Sequence, residues 1–159
     1  MIGTTKKLIH TLACATIAFS GMKALSQDTA AIHYNSDTKV FRLDGGGVTY
    51  AFGVNEANEL QPVYWGRSVS LQDELAAARR LPEAASFDST ATTTPKEFAG
   101  WGGGLYTEPA LKVSFPDGNR DLVLHYVSHK IDGDTLTVTV KDVERPVEVE
   151  LQYTIVERR

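Results

Sequence analysis

Cysteine and long apolar runs are almost absent from this sequence, and each absence excludes a class of protein. Cys14 is the one cysteine, which excludes a scaffold held together by internal disulfides. The only long apolar stretch lies at the N-terminus, whereas a polytopic membrane protein needs several spans of about 20 apolar residues. The 159 residues suffice for one domain, but a complete (β/α)₈ barrel needs roughly 200 or more.

Positive charge is also scarce. The chain has 16 lysines and arginines against 20 acidic residues, a formal charge of −4. Nucleic-acid binders neutralise phosphates with clustered basic residues, so we expect no nucleic-acid partner.

The N-terminal segment has the pattern of a targeting signal. Basic residues precede a mostly apolar run over 8–20, and Ala24 and Ser26 then supply the small residues that a signal peptidase reads. The pattern predicts a secretory signal peptide over residues 1–26, and therefore a periplasmic or extracellular protein.

Two alternatives to cleavage are weaker. A membrane anchor is disfavoured because the run is short and carries Lys23, and a lipoprotein at Cys14 is disfavoured because Thr11 stands where an aliphatic residue is expected. After cleavage, residues 27–159 would form one domain without a cysteine, and we expect it to have no membrane contact. Loss of three lysines and no acidic residue lowers its charge from −4 to −7.

The remainder of the chain alternates apolar and polar residues, which is typical of strands with one buried and one wet face. The alternation covers 48–54, 111–115, 122–126, 136–140 and 147–155. Turn sequences rich in Gly, Asp or Pro lie at 44–47, 116–119 and 132–134. This pattern predicts an all-β, antiparallel β-sandwich.

One segment departs from the alternation. Ser70 precedes an acidic turn, and apolar residues then recur at helical spacing until Pro82, which predicts a short helix near 71–80. The stretch 82–104 has no period and reads as a long loop, a type of segment that often carries function.

Few residues suggest catalysis or metal binding. No spacing singles out the pair of carboxylates that a glycosidase needs, so we expect no catalytic residue in this chain. His125 and His129 would lie about 13 Å apart on a strand, too far for one ion, and we interpret them as two polar residues at the end of a strand. We expect no metal and no cofactor, since Gly102–Gly104 lacks the Lys-Ser/Thr of a phosphate-binding loop.

The aromatic residues are more informative. A tryptophan face can pack on a sugar ring, and nearby glycines let a backbone approach a ligand closely. We expect Trp65 to fill the core. Trp101, in the irregular loop, is equally compatible with a core position and with sugar contact.

Several of these motifs resemble the N-terminal domain of glycoside hydrolase family 36 α-galactosidases. The resemblance covers roughly residues 31–157. It is carried by Tyr64-Trp65-Gly66 and by the runs 95–103, 108–113, 121–129 and 147–153.

The resemblance implies a β-supersandwich that precedes a (β/α)₈ barrel. Such enzymes hydrolyse terminal α-galactosides with retention, using two aspartates of the barrel, so the catalytic barrel is the expected partner and is missing from this chain. The family's N-terminal domain often takes part in a homo-oligomer, and its loops help to wall the active site. By this analogy the 88–106 loop approaches the α-galactoside, with Asp88, Trp101 and Tyr106 as candidate carbohydrate-binding residues.

Two features depart from the family pattern. Leu105-Tyr106-Thr107 replaces an acidic-aromatic-basic triplet, and the connection 131–134 is short. The final strand, 147–156, ends where the family's sandwich continues, so we expect the chain to be a truncated N-terminal domain.

Three hypotheses follow. The chain is the leading, non-catalytic portion of a secreted α-galactosidase and is inactive alone; it is a free-standing, secreted sugar-binding module; or it is a structural β-domain without a ligand. The third hypothesis predicts that Trp65 and Trp101 are both buried.

Overall fold

A computed structural model describes residues 31–82, 94–102 and 107–156. This part of the chain forms seven strands in two antiparallel sheets and contains no helix. No helix in these ranges is therefore long and apolar enough to cross a membrane. The first sheet has the order β1-β2-β3-β4 and the second the order β5-β6-β7. The strands are β1 (Ala31–Asn35), β2 (Val40–Gly45), β3 (Val48–Val54), β4 (Leu60–Arg67), β5 (Leu124–Asp132), β6 (Thr135–Asp142) and β7 (Glu148–Thr154).

The predicted turns are confirmed. Gly46 and Gly47 join β2 to β3 with φ angles of 58° and 76°, a left-handed pair that only glycine adopts without strain. Gly133 joins β5 to β6 with φ of 60°, and Gly118 in the 116–119 turn has φ of 80°.

The core lies between the two sheets, as the sandwich prediction requires. Phe41 and Phe52 of the first sheet are fully buried, and Leu136 and Val138 of the second sheet face them. Aromatic rings join the layers, with the Phe52 and Tyr153 centroids 4.9 Å apart. The alternation of the sequence therefore identified the inner faces of these strands correctly.

The strands of the second sheet run across those of the first. At one end, the Tyr126 amide of β5 donates a 2.8 Å hydrogen bond to the carbonyl of Asn58, in the β3–β4 turn. Toward the opposite end, Ile155, just after β7, packs against Gly45 near the β2–β3 turn. The second sheet therefore advances along the first, from the β3–β4 turn toward the β2–β3 turn.

The prediction of a helix near 71–80 is wrong. This segment is irregular and lies over the outer face of the first sheet, where Ala78 packs close to Gly53. Its backbone groups have partners in other elements: Gln61 donates to the Arg79 carbonyl at 2.8 Å, and Glu56 accepts from the Arg80 amide at 3.0 Å. These side chains take the places that hydrogen bonds within a helix would fill.

The predicted strand at 111–115 is also wrong. Leu111 forms only an isolated parallel bridge to Gly100, because the amides of Ala110 and Leu111 both point to the carbonyl of Ala99. A single carbonyl that serves two neighbouring amides does not begin a ladder.

Candidate functional site

A cavity of about 150 Å³ lies between the 94–102 segment and the start of β5. The segment is anchored at one end by the Glu97 amide, which donates a 2.9 Å hydrogen bond to the carbonyl of Leu60. At the other end the Leu122 amide donates a 2.5 Å hydrogen bond to the carbonyl of Trp101. The cavity is thus walled by a loop that is held by β4 at one end and by the residues just before β5 at the other. Its lining includes Glu59, Lys96, Phe98, Gly100, Leu122 and His125.

Two glycines allow this close passage of backbone against backbone. A Cβ atom on Gly100 would lie 2.2 Å from the carbonyl oxygen of Leu122. Gly102 has φ of 121°, and a Cβ there would lie 3.1 Å from the Asp121 side chain. The sequence suggested that these glycines let a ligand approach the backbone closely. In the structure, their lack of a side chain instead makes room for another part of the protein's own chain.

A Gly100→Ala substitution should therefore destabilise the domain. The clashing atom belongs to the backbone and cannot rotate away, and overpacking of this kind costs about 1–3 kcal/mol. Gly66→Ala is a matched control, because the added methyl group would meet the tip of the Tyr64 side chain, which can move. Urea unfolding should show a clearly lower free energy of unfolding for Gly100→Ala but not for Gly66→Ala. Equal stability of the two variants would contradict the close approach of Gly100 to the Leu122 backbone.

Trp101 lies outside the core, with 46% of its surface exposed. The Lys112 ammonium group lies 5.9 Å from the centre of its ring, and the Asp121 side chain contacts the next residue, Gly102. An exposed ring with a cation near its face, and a carboxylate beside the next residue, has the components that pack on a sugar and bind its hydroxyl groups. Sequence reasoning missed Lys112 and Asp121, because neither is close to Trp101 in the chain.

The other two candidate carbohydrate-binding residues, Asp88 and Tyr106, lie outside the described residues. Their convergence with Trp101 stays a prediction.

A buried ion-pair cluster also lines the cavity. Glu59 is 5% exposed and pairs with the ammonium group of Lys96 and, at 3.3 Å, with the guanidinium group of Arg80. Burial alone would raise the pKa of the Glu59 carboxyl. The hydrogen bond and charge of Lys96 and the charge of Arg80 outweigh burial, so that pKa lies below its ordinary value of 4.5.

A second carboxylate joins the two sheets. Glu97 accepts hydrogen bonds from the hydroxyl groups of Tyr50 in β3 and, at 3.0 Å, of Tyr153 in β7. Burial, together with the charge of Glu97 and the hydrogen bonds to it, raises the pKa of both tyrosines, which stay protonated as donors.

Two further buried carboxylates are occupied in the same way. Asp44 binds Arg42 and Thr49, whereas Asp142 accepts backbone hydrogen bonds from Val123, Glu144 and Arg145. In the part of the chain that the structure describes, each of these buried carboxylates therefore has a structural partner. The arrangement holds the sheets and the loop together, and it does not present two facing carboxyl groups to a glycosidic bond.

Both histidines lie on β5, but only His125 is near a strand end, as the sequence predicted; the prediction is wrong for His129, which lies in the middle of the strand. His125 faces the cavity, and His129 packs on Tyr34 and Phe41 with ring centroids 4.3 Å and 4.9 Å away. The Tyr126 hydroxyl lies 2.8 Å from Nδ1 of His129, and partial burial lowers the pKa of that imidazole. A register shift between Tyr126 and Ser128 lies between the two histidines in the strand.

The expectation that Trp65 fills the core is wrong. Trp65 is 81% exposed, although it pairs with Tyr50 and their ring centroids are 6.0 Å apart. Its strand, β4, is an edge of the first sheet, and Leu60 at the start of the strand is buried in the core whereas Trp65 near its end is not. Because Trp101 is also exposed, the burial predicted by the hypothesis of a ligand-free structural domain does not occur.

The fold and the site define an antiparallel β-sandwich domain with a cavity walled by a loop, and comparison with known proteins places it in a family. The sequence profile of the glycosyl hydrolase family 36 N-terminal domain matches residues 58–159. The chain therefore belongs to that family.

Three curated relatives are described as α-galactosidases. The chain is 27% identical to the α-galactosidase Mel36A of Lactobacillus acidophilus over 78% of its own length and 21% of the relative's. Among solved structures, the GH36 α-galactosidase AgaB of Geobacillus stearothermophilus matches with a TM-score of 0.66 at 27% identity, over 80% of this chain and 21% of that one. A variant of AgaA from the same organism, solved with raffinose, matches with a TM-score of 0.62 at 26% identity, over 75% of this chain and 20% of that one. This chain thus spans about a fifth of the length of the relatives it matches.

Proposed function

We propose that this chain is the leading, non-catalytic domain of an exported α-galactosidase that acts on terminal α-galactosides, and that it is inactive alone. The observation that carries the proposal is the family match over residues 58–159, with relatives described as α-galactosidases. The catalytic barrel is the partner that the proposal requires. In a retaining glycosidase the two carboxyl groups lie about 5–5.5 Å apart across the scissile bond, and the proposal assigns both to the barrel.

The engagement of the buried carboxylates supports the absence of catalysis. A general acid must exchange its proton freely, whereas Glu59 is held by Lys96 and Arg80. Glu97 is likewise held by two tyrosine hydroxyl groups. The role left to this domain is to pack against the barrel and to present the Trp101 loop beside it.

Export is the part of the proposal that rests on the sequence alone. When the full chain is expressed in a bacterium, we expect the protein recovered outside the cytoplasm to begin at Gln27, because Ala24 and Ser26 mark the cleavage site. N-terminal sequencing of the exported protein tests this. Lys7→Glu should slow export by reversing a charge of the basic region, and a cytoplasmic protein that retains Met1 would contradict the proposal.

A free-standing sugar-binding module is the second candidate, and the exposure of Trp101 favours it. Calorimetric titration of the full chain with melibiose separates the two. The leading-domain proposal expects no saturable binding, because the galactose pocket belongs to the barrel. Saturable binding that Trp101→Ala abolishes and Trp65→Ala preserves would instead support the module.

A further inference from the structure

The cavity beside the 94–102 segment is lined by more positive than negative charge. Lys96 and Arg80 both line it, and both pair with the same carboxylate oxygen, Oε2 of Glu59. One carboxylate therefore serves two cations, which leaves a surplus positive charge in a confined space. Such a charge is costly in low-dielectric surroundings unless an anion or water compensates it. The charge balance therefore favours an anion as the occupant of the cavity.

The surplus is concentrated at Lys96. Its side chain is 12% exposed, against 29% for Arg80, so water compensates its charge less. An ammonium group has several N–H donors, and Glu59 is the only polar partner of the Lys96 ammonium group among the described residues. Buried donors in folded proteins nearly always have an acceptor, which can be water or an ion. The remaining donors of Lys96 therefore favour an acceptor that comes from outside the protein.

The size of the cavity limits which acceptor can enter. Its volume of about 150 Å³ is roughly that of five water molecules, at about 30 Å³ each in the liquid. An oxyanion such as phosphate fits in that space, and a hexose does not. His125 also lines the cavity and can donate a hydrogen bond from its ring. An anion there would have donors from the 94–102 segment, from the 68–82 segment and from β5.

We propose that this cavity binds a small oxyanion, of the class of phosphate and sulfate, through Lys96, Arg80 and His125. Charge-assisted hydrogen bonds from lysine and arginine to an oxyanion are about twice as strong as neutral ones. The bound anion would fix the 94–102 segment, and with it the exposed ring of Trp101, to the elements around it. The inference does not depend on the proposed function, because it uses only groups of this domain.

Glu59 supplies a test that separates an anion site from a purely structural cluster. Its carboxylate repels an anion and competes with it for Lys96 and Arg80. The substitution Glu59→Gln removes that repulsion and keeps both cations, so the variant should bind phosphate about tenfold more tightly than wild type. If the cluster served only the fold, loss of this carboxylate would destabilise the protein without any gain in affinity for phosphate.

Urea unfolding of the full chain would be compared in sodium phosphate and in sodium chloride at equal ionic strength, so that general screening cancels. A ligand that binds the folded state alone raises the free energy of unfolding with its concentration, according to its dissociation constant. We expect phosphate to stabilise wild type in this way, and Glu59→Gln at lower concentrations. Lys96→Met should lose this response. Lys112→Met is the matched control, since that ammonium group is exposed and lies beside Trp101, outside the cavity.

Phosphate also stabilises proteins in general, because it is excluded from their surface, and that effect should persist in Lys96→Met. An equal response of wild type and Lys96→Met would therefore overturn the proposal. Unchanged or weaker phosphate binding by Glu59→Gln would overturn it as well, and this arm decides if Lys96→Met does not fold. A hexose 1-phosphate should bind more weakly than the free ion, because the cavity excludes the ring; tighter binding would overturn the assignment to a small ion. Since no arm measures hydrolysis, the anion site can fail while the proposed function stands, and the reverse.

Discussion

An Asp44→Ala variant should lose about 3–5 kcal/mol of its free energy of unfolding, which is the usual result of removing one member of a buried ion pair. Asp44 is 7% exposed and receives two hydrogen bonds from the guanidinium group of Arg42, at 2.6 Å and 3.0 Å. It also accepts a 2.5 Å hydrogen bond from the hydroxyl group of Thr49. Without the carboxylate, the charge of Arg42 would stay buried, although the carbonyls of Val69 and Ser70 still accept from it.

The loss should be measured by urea unfolding, with amide exchange over residues 68–82 as a second readout. Arg42 fixes the start of this segment against the outer face of the first sheet, so exchange there should accelerate. Asp132→Ala is the matched control, because its ion pair with Lys130 is exposed to solvent and contributes little. If the Asp44 and Asp132 variants were equally stable, the buried network would not stabilise the fold as described.

A Glu59→Gln variant should lose about 1–3 kcal/mol of its free energy of unfolding, because buried charged groups are left without their counter-ion. Lys96 and Arg80 both depend on this carboxylate, and Lys96 has a side chain only 12% exposed. The cavity beside the 94–102 segment should loosen, so Trp101, at the end of that segment, should report the change. Glu150→Gln on the exposed face of β7 is the control, and we expect it to leave both stability and Trp101 emission unchanged.

The Glu59→Gln variant also tests how the stability of the protein depends on pH. The pKa of Glu59 is lower in the folded protein than its ordinary value of 4.5, so the folded state binds this proton less readily than the unfolded state. The stability contributed by Glu59 is therefore complete above pH 4.5 and is lost as the pH falls through the folded pKa. Wild type and Glu59→Gln should converge in stability as the pH falls below 4.5; a constant difference down to pH 3, about one unit below the ordinary Glu pKa, would contradict this sign.

The sequence was sufficient where local pattern decides the structure. Alternation placed Leu136, Val138 and Val140 on the buried face of β6, and they are at most 2% exposed. The glycine turns at 44–47 and 132–134 were recognisable because a positive φ strongly favours that residue type. Both signals lie within a few neighbouring residues.

Long-range partners decided what the sequence did not reveal. The 71–80 segment has helical spacing, but side chains such as Arg42 and Gln61 bind the backbone around it from strands far away in the chain. Trp65 has an apolar side chain on a strand, yet its burial depends on whether a strand lies opposite.

The candidate site was only partly foreseeable for the same reason. Trp101 was identified from its loop of glycines, and it is exposed as a sugar contact requires. The ion-pair cluster was missed because Glu59 and Lys96 lie far apart in the chain, with β4 and an irregular segment between them, and only the fold brings them together. A glutamate at the start of an apolar strand was the one local signal that could have drawn attention to Glu59.

Turnover of melibiose and of a chromogenic α-galactoside by the purified chain tests the central claim most directly, with Mel36A as the positive control. The proposal that this domain leads an α-galactosidase whose catalytic carboxylates lie in the barrel predicts no turnover above the uncatalysed rate at any pH. Hydrolysis by the pure chain that persists through repeated purification would place the catalytic carboxylates within these 159 residues and contradict the account.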